Sequence, residues 1–240
     1  MALDHVRALV FDVFGTVVDW RSGVIREAGP FLERHGRKGA APSAFADAWR
    51  RLYEPSMENI RSGRRPFLPL DLLHRENLET ILPDFGVDRA LVPEAELSDL
   101  NHVWHRLDPW PDVIDGLTRL KRRHIIAPLS NGNIRLMIDM AKRAGLPWDA
   151  ILGAEVARAY KPSPEVYRRT AGVLAMDPGD ICLVAAHNGD LAAARAEGFK
   201  TAFVARRTEH GPEQTTDLEP SGDWDLVAED FRALAGRLGG

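Results

Sequence analysis

The sequence predicts an α/β protein: a doubly wound parallel sheet, forming a Rossmann-like core, with an inserted helical cap domain. Three observations support this prediction. Short apolar runs alternate with stretches of helical periodicity over most of the chain, a pattern typical of strand–helix–strand units. One long segment after the first apolar run has helical periodicity only. Polar residues follow several apolar runs where each strand would end, and parallel sheets bind their ligands at those ends.

The predicted core strands are apolar runs rich in Val, Ile, Leu and Ala, a composition typical of strands buried on both faces. They cover residues 6–11, 125–129, 151–154, 181–185 and 201–204. Helices are predicted at residues 112–123, 133–144, 163–175, 188–197 and 229–238. Ser163-Pro164 fits a helix start, with serine at the N-cap and proline at the first helical position. Gly145 fits a helix end.

The inserted segment covers residues 20–107 and contains no predicted strand. Helices are predicted there at residues 24–35, 43–60, 71–82 and 94–106. An all-helical insertion after the first strand indicates a lid over the strand ends. The chain is therefore predicted to have two domains, an α/β core of residues 1–19 and 108–240 and a helical cap of residues 20–107.

Composition excludes several classes of partner. The chain has 240 residues, 45% of them hydrophobic and 28% charged, as in ordinary globular proteins. A net charge of −4 provides no general attraction to nucleic acid or to an anionic membrane, so neither is expected as a partner. The lone cysteine, Cys182, cannot form an internal disulfide, and no apolar run reaches membrane-spanning length. These features predict a cytoplasmic protein.

Polar residues lie at or near the ends of the predicted strands in four separate segments. They are Asp12 and Thr16, Ser130 and Asn131, Lys161, and Asp190. Because the carboxyl ends of parallel strands meet at one edge of a sheet, we expect these side chains to converge in one crevice.

The residue types in this set suggest specific chemistry. A carboxylate at a strand end, such as Asp12, is placed to be a nucleophile or a metal ligand. A buried carboxylate stays charged only if a cation and hydrogen-bond donors favour the charge. Lys161 provides the cation, and hydroxyl and amide groups of the neighbouring segments provide donors. Asp190 could hold Lys161 in place or activate a water molecule.

The ordered set resembles the haloacid dehalogenase superfamily over essentially the whole chain. Asp12 matches its aspartate nucleophile, Ser130 its hydroxyl position, Lys161 its lysine and Asp190 its last acidic position. Most members are Mg²⁺-dependent phosphatases, and this chain departs from their pattern. Phe14 replaces the second aspartate, and Ala185-Ala186 replaces a Gly-Asp pair that helps to bind Mg²⁺.

Within the superfamily, the chain is most similar to the L-2-haloacid dehalogenases, a metal-free branch. The matching segments are Phe11 to Thr16, Leu129 to Gly132, Tyr160-Lys161-Pro162 with Tyr167, and Trp49-Arg50. The segment Ala185-Ala186-His187 departs from the Ser-Ser-Asn of many members and matches an Ala-Ala-His subgroup.

The resemblance implies hydrolytic dehalogenation of short (S)-2-haloalkanoic acids to (R)-2-hydroxyalkanoic acids through an ester on Asp12, with no metal and no cofactor. It implies six catalytic residues: Asp12, Thr16, Ser130, Lys161, His187 and Asp190. It implies five residues that bind substrate or halide: Val13, Phe14, Arg50, Asn131 and Tyr167. The expected partners are the haloacid, the released halide and, as in many similar enzymes, a second copy of the chain.

Several alternatives stay open at this point. Either Asp190 or His187 could activate the hydrolytic water. The preferred halogen is undetermined, and His187 could tighten the halide pocket enough to accept fluoride. Two other functions remain possible: a Mg²⁺-dependent phosphatase or phosphonatase of the same fold, and a non-catalytic binding protein.

Overall fold

The computed structural model describes residue 3 and residues 5–239; residues 1, 2, 4 and 240, at the ends of the predicted core domain, lie outside the described residues. The strands in this part of the chain are Ala8–Phe11 (β1), Val18–Asp19 (β2), Asp108–Pro109 (β3), Ile125–Ser130 (β4), Leu152–Gly153 (β5), Ile181–Ala185 (β6), Lys200–Val204 (β7) and Leu226–Ala228 (β8). Six of them form one sheet in the order β5-β4-β1-β6-β7-β8, and all neighbours are parallel. This sheet confirms the predicted doubly wound core.

The helices are Trp20–Arg34 (α1), Pro42–Arg51 (α2), Tyr53–Arg61 (α3), Leu70–Ile81 (α4), Glu94–Asn101 (α5), Val113–Leu120 (α6), Ile134–Ala144 (α7), Ala154–Ala157 (α8), Pro164–Leu174 (α9), Asn188–Ala196 (α10) and Phe231–Arg237 (α11). Helices α6, α7 and α11 pack on one face of the sheet, and α9 and α10 pack on the other. The predicted helix end at Gly145 is confirmed by its left-handed backbone, with φ of 72°. Ser163 occupies the N-cap of α9, but its side chain makes no capping hydrogen bond.

Strand β1 lies in the middle of the sheet and determines where the polar residues meet. Its four residues are fully buried, with Leu9 and Phe11 in the hydrophobic cluster on one face and Ala8 and Val10 in the cluster on the other. This alternation is the two-residue period of a strand. Asp12 follows β1 directly, and its backbone N–H donates to the carbonyl of Val184 in β6 at 3.0 Å. The Asp12 side chain therefore lies at the carboxyl edge of the sheet, next to the ends of β1 and β6.

The segment from α1 to α5 contains helices and no strand among its described residues. The short strands β2 and β3 pair antiparallel where the chain enters and leaves this segment. The predicted helix 43–60 is in fact two helices, α2 and α3, which meet at Leu52. Pro55 explains the break, because proline lacks an N–H and its ring clashes with the carbonyl four residues earlier.

One further prediction differs from the structure, and one strand of the main sheet was not predicted. The predicted helix 94–106 ends at Asn101 and continues as a 3-10 turn over His102–His105. Strand β8 was not expected, because three residues that follow a polar loop show no usable periodicity. Among the described helices, each is too short or too polar to cross a membrane.

Candidate active site

A cavity of about 790 Å³ lies at the carboxyl ends of the central strands, beneath α2 and α3. Seven of the predicted site residues line it: Asp12, Phe14, Arg50, Asn131, Lys161, His187 and Asp190. The other four, Val13, Thr16, Ser130 and Tyr167, are fully buried behind the cavity wall. The structure thus brings the separated segments together, as expected from parallel strands, and divides them into a lining set and a supporting set.

The loop after β1 is a tight turn that presents Asp12 to the cavity. Val17 and Val18 donate their N–H groups to the carbonyl of Val13, and Gly15 adopts a left-handed backbone with φ of 89°. The backbone N–H groups of Val13 and Phe14 donate no hydrogen bond within the described residues. Two adjacent free N–H groups beside a carboxylate side chain form a site suited to an anion.

The Asp12 carboxylate is surrounded by donors and cations. Lys161 Nζ lies 2.9 Å from Oδ1, while Thr16 Oγ1 and His187 Nδ1 lie 2.6 and 2.9 Å from Oδ2. Burial raises the pKa of Asp12, but Lys161 and His187 outweigh it and hold the pKa well below its ordinary value. The Asp12 side chain is therefore ionised at neutral pH.

Both carboxylate oxygens of Asp190 accept hydrogen bonds from other side chains. Its Oδ2 accepts from Lys161 Nζ at 2.5 Å, and its Oδ1 accepts from the Tyr167 hydroxyl at 2.6 Å. Burial lowers the pKa of Lys161, but Asp12 and Asp190 together raise that pKa above its ordinary value. The ammonium group of Lys161 is thus a fixed cation between two carboxylates.

The turn after β4 positions the next pair of polar residues. Gly132 N–H donates to Ser130 Oγ at 3.0 Å, and Lys161 N–H donates to Asn131 Oδ1 at 2.8 Å. Gly153 in β5 approaches Ser130 closely, since a Cβ there would lie 2.1 Å from the Ser130 carbonyl oxygen. The Asn131 amide faces the cavity, whereas the Ser130 hydroxyl stabilises the turn behind it.

Arg50 brings a cation from the helical segment to the cavity. Its neighbour Trp49 is fully buried and donates from Nε1 to the His74 carbonyl at 2.9 Å, which anchors α2. The Arg50 guanidinium lies 3.9 Å from the ring centroid of Tyr53 and 5.8 Å from that of Phe14. Its Nη1 atom is buried and has no hydrogen-bond partner among the described residues. A buried guanidinium donor without an acceptor is suited to bind an anion.

His187 lies between two carboxylates, of which Glu209 was not predicted. Its Nδ1 contacts Asp12, and its Nε2 lies 2.8 Å from Glu209 Oε2. Because carboxylates only accept hydrogen bonds, both ring nitrogens must donate, so the ring is an imidazolium cation. Burial lowers the pKa of His187, but Glu209 and Asp12 raise it well above 6.5.

Among the cavity-lining residues that sequence reasoning missed, Trp20, Tyr53 and Glu209 contact predicted site residues. Tyr53 lies three positions after Arg50, a spacing at which helical neighbours meet. Glu209 follows the predicted strand 201–204, so the rule that found the other polar residues could have found it. Trp20 packs in the hydrophobic core, and its Nε1 also donates to Glu209 Oε1 at 3.0 Å.

Possible metal ligands lie at one place in the described part of the chain. Ligand atoms of His187, Glu209 and His210 come within 4.8 Å of one another. The carboxylate of Glu209 already bonds to His187 and Trp20, so a metal ion would have to displace these contacts. Between Asp12 and Asp190, the ammonium of Lys161 occupies the bridging position. We therefore assign no metal site.

Comparisons with known proteins agree on one family. A family model described as haloacid dehalogenase-like hydrolase matches residues 6–198. The (S)-2-haloacid dehalogenase 4A of Burkholderia cepacia is 30% identical over 210 residues, which cover 85% of each chain. The solved structure of a defluorinating L-2-haloacid dehalogenase has a TM-score of 0.95 and 52% identity, over 98% of this chain and 96% of that chain. Another solved L-2-haloacid dehalogenase has a TM-score of 0.92 and 45% identity, over 98% and 99% of the two chains.

Proposed function

Because the chain belongs to the haloacid dehalogenase-like hydrolase family, we propose that it hydrolyses short (S)-2-haloalkanoic acids to (R)-2-hydroxyalkanoic acids through an ester on Asp12. The observation that carries the proposal is the environment of Asp12, an ionised carboxylate whose counter-cation is the side chain of Lys161. Phe14 stands where a phosphatase would need an acid to protonate its leaving group. A departing halide needs no proton, so this substitution suits the proposed reaction.

In the first half-reaction, Asp12 attacks C2 of the substrate with inversion and displaces the halide. A new C–O bond forms as the carbon–halogen bond breaks, and the halide leaves with the electron pair. The free guanidinium donor of Arg50 and the Asn131 amide, which line the same cavity, would stabilise the developing anion. The N–H groups of Val13 and Phe14 would bind the substrate carboxylate, with Ser130 supporting the adjoining turn.

In the second half-reaction, water attacks the carbonyl carbon of the Asp12 ester. Both oxygens of Asp190 are engaged by Lys161 and Tyr167, which supports an anchoring role for Asp190. His187 Nδ1 lies 2.9 Å from an Asp12 oxygen, which supports His187 as the base that activates this water. Thr16 holds the same Asp12 oxygen at 2.6 Å and would keep the ester oriented.

We also propose that residues 20–107 form a cap domain over a core of residues 1–19 and 108–240. The position of Arg50 and Tyr53 above the strand ends supports this division. A homodimer and a cytoplasmic location stay predictions. The preferred halogen stays undetermined, and acceptance of fluoride through a halide pocket tightened by His187 stays a hypothesis.

Incubation of the purified protein with EDTA and (S)-2-chloropropionate tests the proposal. We expect release of chloride and formation of (R)-lactate, with no release from (R)-2-chloropropionate. The control is Arg64→Gln, an exposed residue of the same helical insertion that does not line the cavity, which should retain most of the activity. Release of phosphate from phosphate esters with Mg²⁺, and of no halide from any short 2-haloacid, would instead support the phosphatase alternative. If the protein catalyses neither reaction, the result would support the alternative of a non-catalytic binding protein.

A further inference from the structure

We propose that Glu209 is a positioning residue for the second half-reaction: it holds His187 so that Nδ1 accepts a proton from the water that attacks the Asp12 ester. The inference rests on the proposed function and adds to it a residue from the loop after β7. His187 is the catalytic residue of this pair, and Glu209 acts through it.

The placement of Glu209 is specific. Its side chain is 1% exposed, and its two oxygens accept from different partners, Oε2 from His187 and Oε1 from Trp20. Its carboxylate also packs on the nucleophile loop, because a Cβ on Gly15 would lie 2.1 Å from Glu209 Oε1. Glycine at position 15 thus leaves the space that this carboxylate occupies. Burial raises the pKa of Glu209, but His187 outweighs it and lowers that pKa below its ordinary value.

The hydrogen bond to Glu209 determines which nitrogen of His187 can act. When the ring is neutral, Nε2 keeps its proton for the carboxylate, and Nδ1 is left as the free base beside Asp12. The charged and titratable groups around the ring come from several elements: Asp12 after β1, Arg50 on α2, Lys161 before α9, Asp190 on α10, and Glu209 and His210 after β7. Of these, Asp12 and Glu209 bond to the ring directly.

Ester formation changes the charges around His187, because it neutralises Asp12. The imidazolium of His187 then has one carboxylate partner instead of two, and it releases its Nδ1 proton to solvent. The attacking water returns a proton to Nδ1 as its oxygen bonds to the ester carbonyl carbon. Collapse of the adduct breaks the bond to the alkoxide, which takes the second water proton, and Asp12 becomes a carboxylate again. The net reaction consumes haloacid and water and yields hydroxyacid, halide and one proton.

The test is transient kinetics of Glu209→Gln, with halide release and hydroxyacid formation followed separately. We expect halide release in the first turnover at a rate close to that of the wild type. We expect hydroxyacid formation to slow by about 10- to 100-fold, less than the 10²–10⁴-fold contribution of a general base. The ester should accumulate, giving a halide burst of one equivalent. Glu213→Gln, on an exposed residue of the same loop, is the matched control and should show no burst.

A pH profile separates this role from a structural one. In the wild type, hydrolysis of the ester should rise with pH as His187 loses its proton, and Glu209 stabilises the protonated ring after Asp12 is esterified. In Glu209→Gln this profile should move to lower pH, whereas Glu209→Asp keeps the charge and should keep a high apparent pKa. A wild-type hydrolysis rate that does not depend on pH, or a Glu209→Gln enzyme with neither burst nor shift, would overturn the inference. A wild type that releases no halide would instead overturn the proposed function.

Discussion

The guanidinium of Arg206 and the carboxylate of Asp112 form a buried pair through two hydrogen bonds of 2.9 and 2.8 Å. The same guanidinium donates from Nε to the carbonyl of Thr16 at 2.9 Å, and the Thr16 hydroxyl donates to Asp12. Asp112, which precedes α6, is thereby linked through Arg206, which follows β7, to the loop that carries Asp12. Both side chains of the pair are less than a tenth exposed.

We expect Arg206→Met to lower the free energy of unfolding by about 3–5 kcal/mol, because it leaves the Asp112 carboxylate buried without its cation. Urea denaturation at neutral pH measures the change. The control Arg207→Met, on an exposed neighbour, should change it by about 0.5 kcal/mol or less. Equal effects of the two substitutions would contradict a stabilising role of the buried pair.

We expect His105→Asn to destabilise the protein more at pH 6 than at pH 9. His105 Nε2 lies 3.0 Å from Asp71 Oδ1, and Nδ1 lies 2.9 Å from Asp139 Oδ2. Burial lowers the pKa of His105, but these carboxylates raise it above 6.5 in the folded state. The stabilisation that the charged His105 provides is therefore complete below about pH 6.5, the reference pKa of a histidine in the unfolded chain. It is lost as pH rises through the higher pKa of His105 in the folded protein.

Thermal or urea unfolding at several pH values checks this prediction, with an expected cost at pH 6 of about 1–3 kcal/mol. His102→Asn is the control, because His102 is an exposed neighbour of His105. A His105→Asn variant with the same loss of stability at both pH values would show that the charge on His105 does not matter.

His74 should have the opposite pH dependence. Its ring stacks on Trp104 with centroids 4.2 Å apart, and neither ring nitrogen has a hydrogen-bond partner within the described residues. Burial lowers the pKa of His74 to about 3. Between pH 6.5 and 3 the unfolded chain binds a proton that the folded chain does not, so His74 costs stability as pH falls.

We therefore expect His74→Phe to gain about 2 kcal/mol of stability over the wild type between pH 8 and pH 5, at about 1.4 kcal/mol for each pH unit below 6.5. Urea unfolding of both proteins at the two pH values measures the gain. His5→Phe, on an exposed histidine, should show no such gain. A stability difference independent of pH would mean that His74 is not held neutral.

Asp12→Asn should reduce halide release by at least about 10³-fold while the protein stays folded, because the amide is a poor nucleophile. Circular dichroism checks the fold, and an ion-selective electrode checks the rate. In wild-type enzyme, repeated turnover in heavy-oxygen water should label the Asp12 carboxylate, as seen by peptide mass spectrometry. Undiminished activity of the variant, or an active wild type without label, would remove Asp12 from the proposed role.

The sheet and most of the polar residues of the site were predictable because periodicity and position along the strands determine them. Asp12, Asn131, Lys161 and Asp190 occupy the ends of apolar runs or the loops that follow, and parallel pairing brings such positions together. Their proposed catalytic roles stay predictions, since these come from the family resemblance.

The remaining contacts depend on how irregular segments fold back. The position of Glu209 after a predicted strand could have placed it near the site. Its contacts with both Trp20 and His187 could not be predicted, because the long loop that carries it has no periodicity. The environment of His74 depends in the same way on the packing of α4 against Trp104. Side-chain partners that come from distant helices have no local signal, whereas strand ends do.

Arg50 belongs to α2, and Asp12 directly follows β1, so the proposed halide and the proposed ester would be held by different parts of the chain. The anion would then be held by a different segment from the carbon that it left. Return of the halide to that carbon, the reversal of bond cleavage, would require both segments to hold the two reactants in line. Added chloride should accordingly inhibit the enzyme only weakly, even though it is a product.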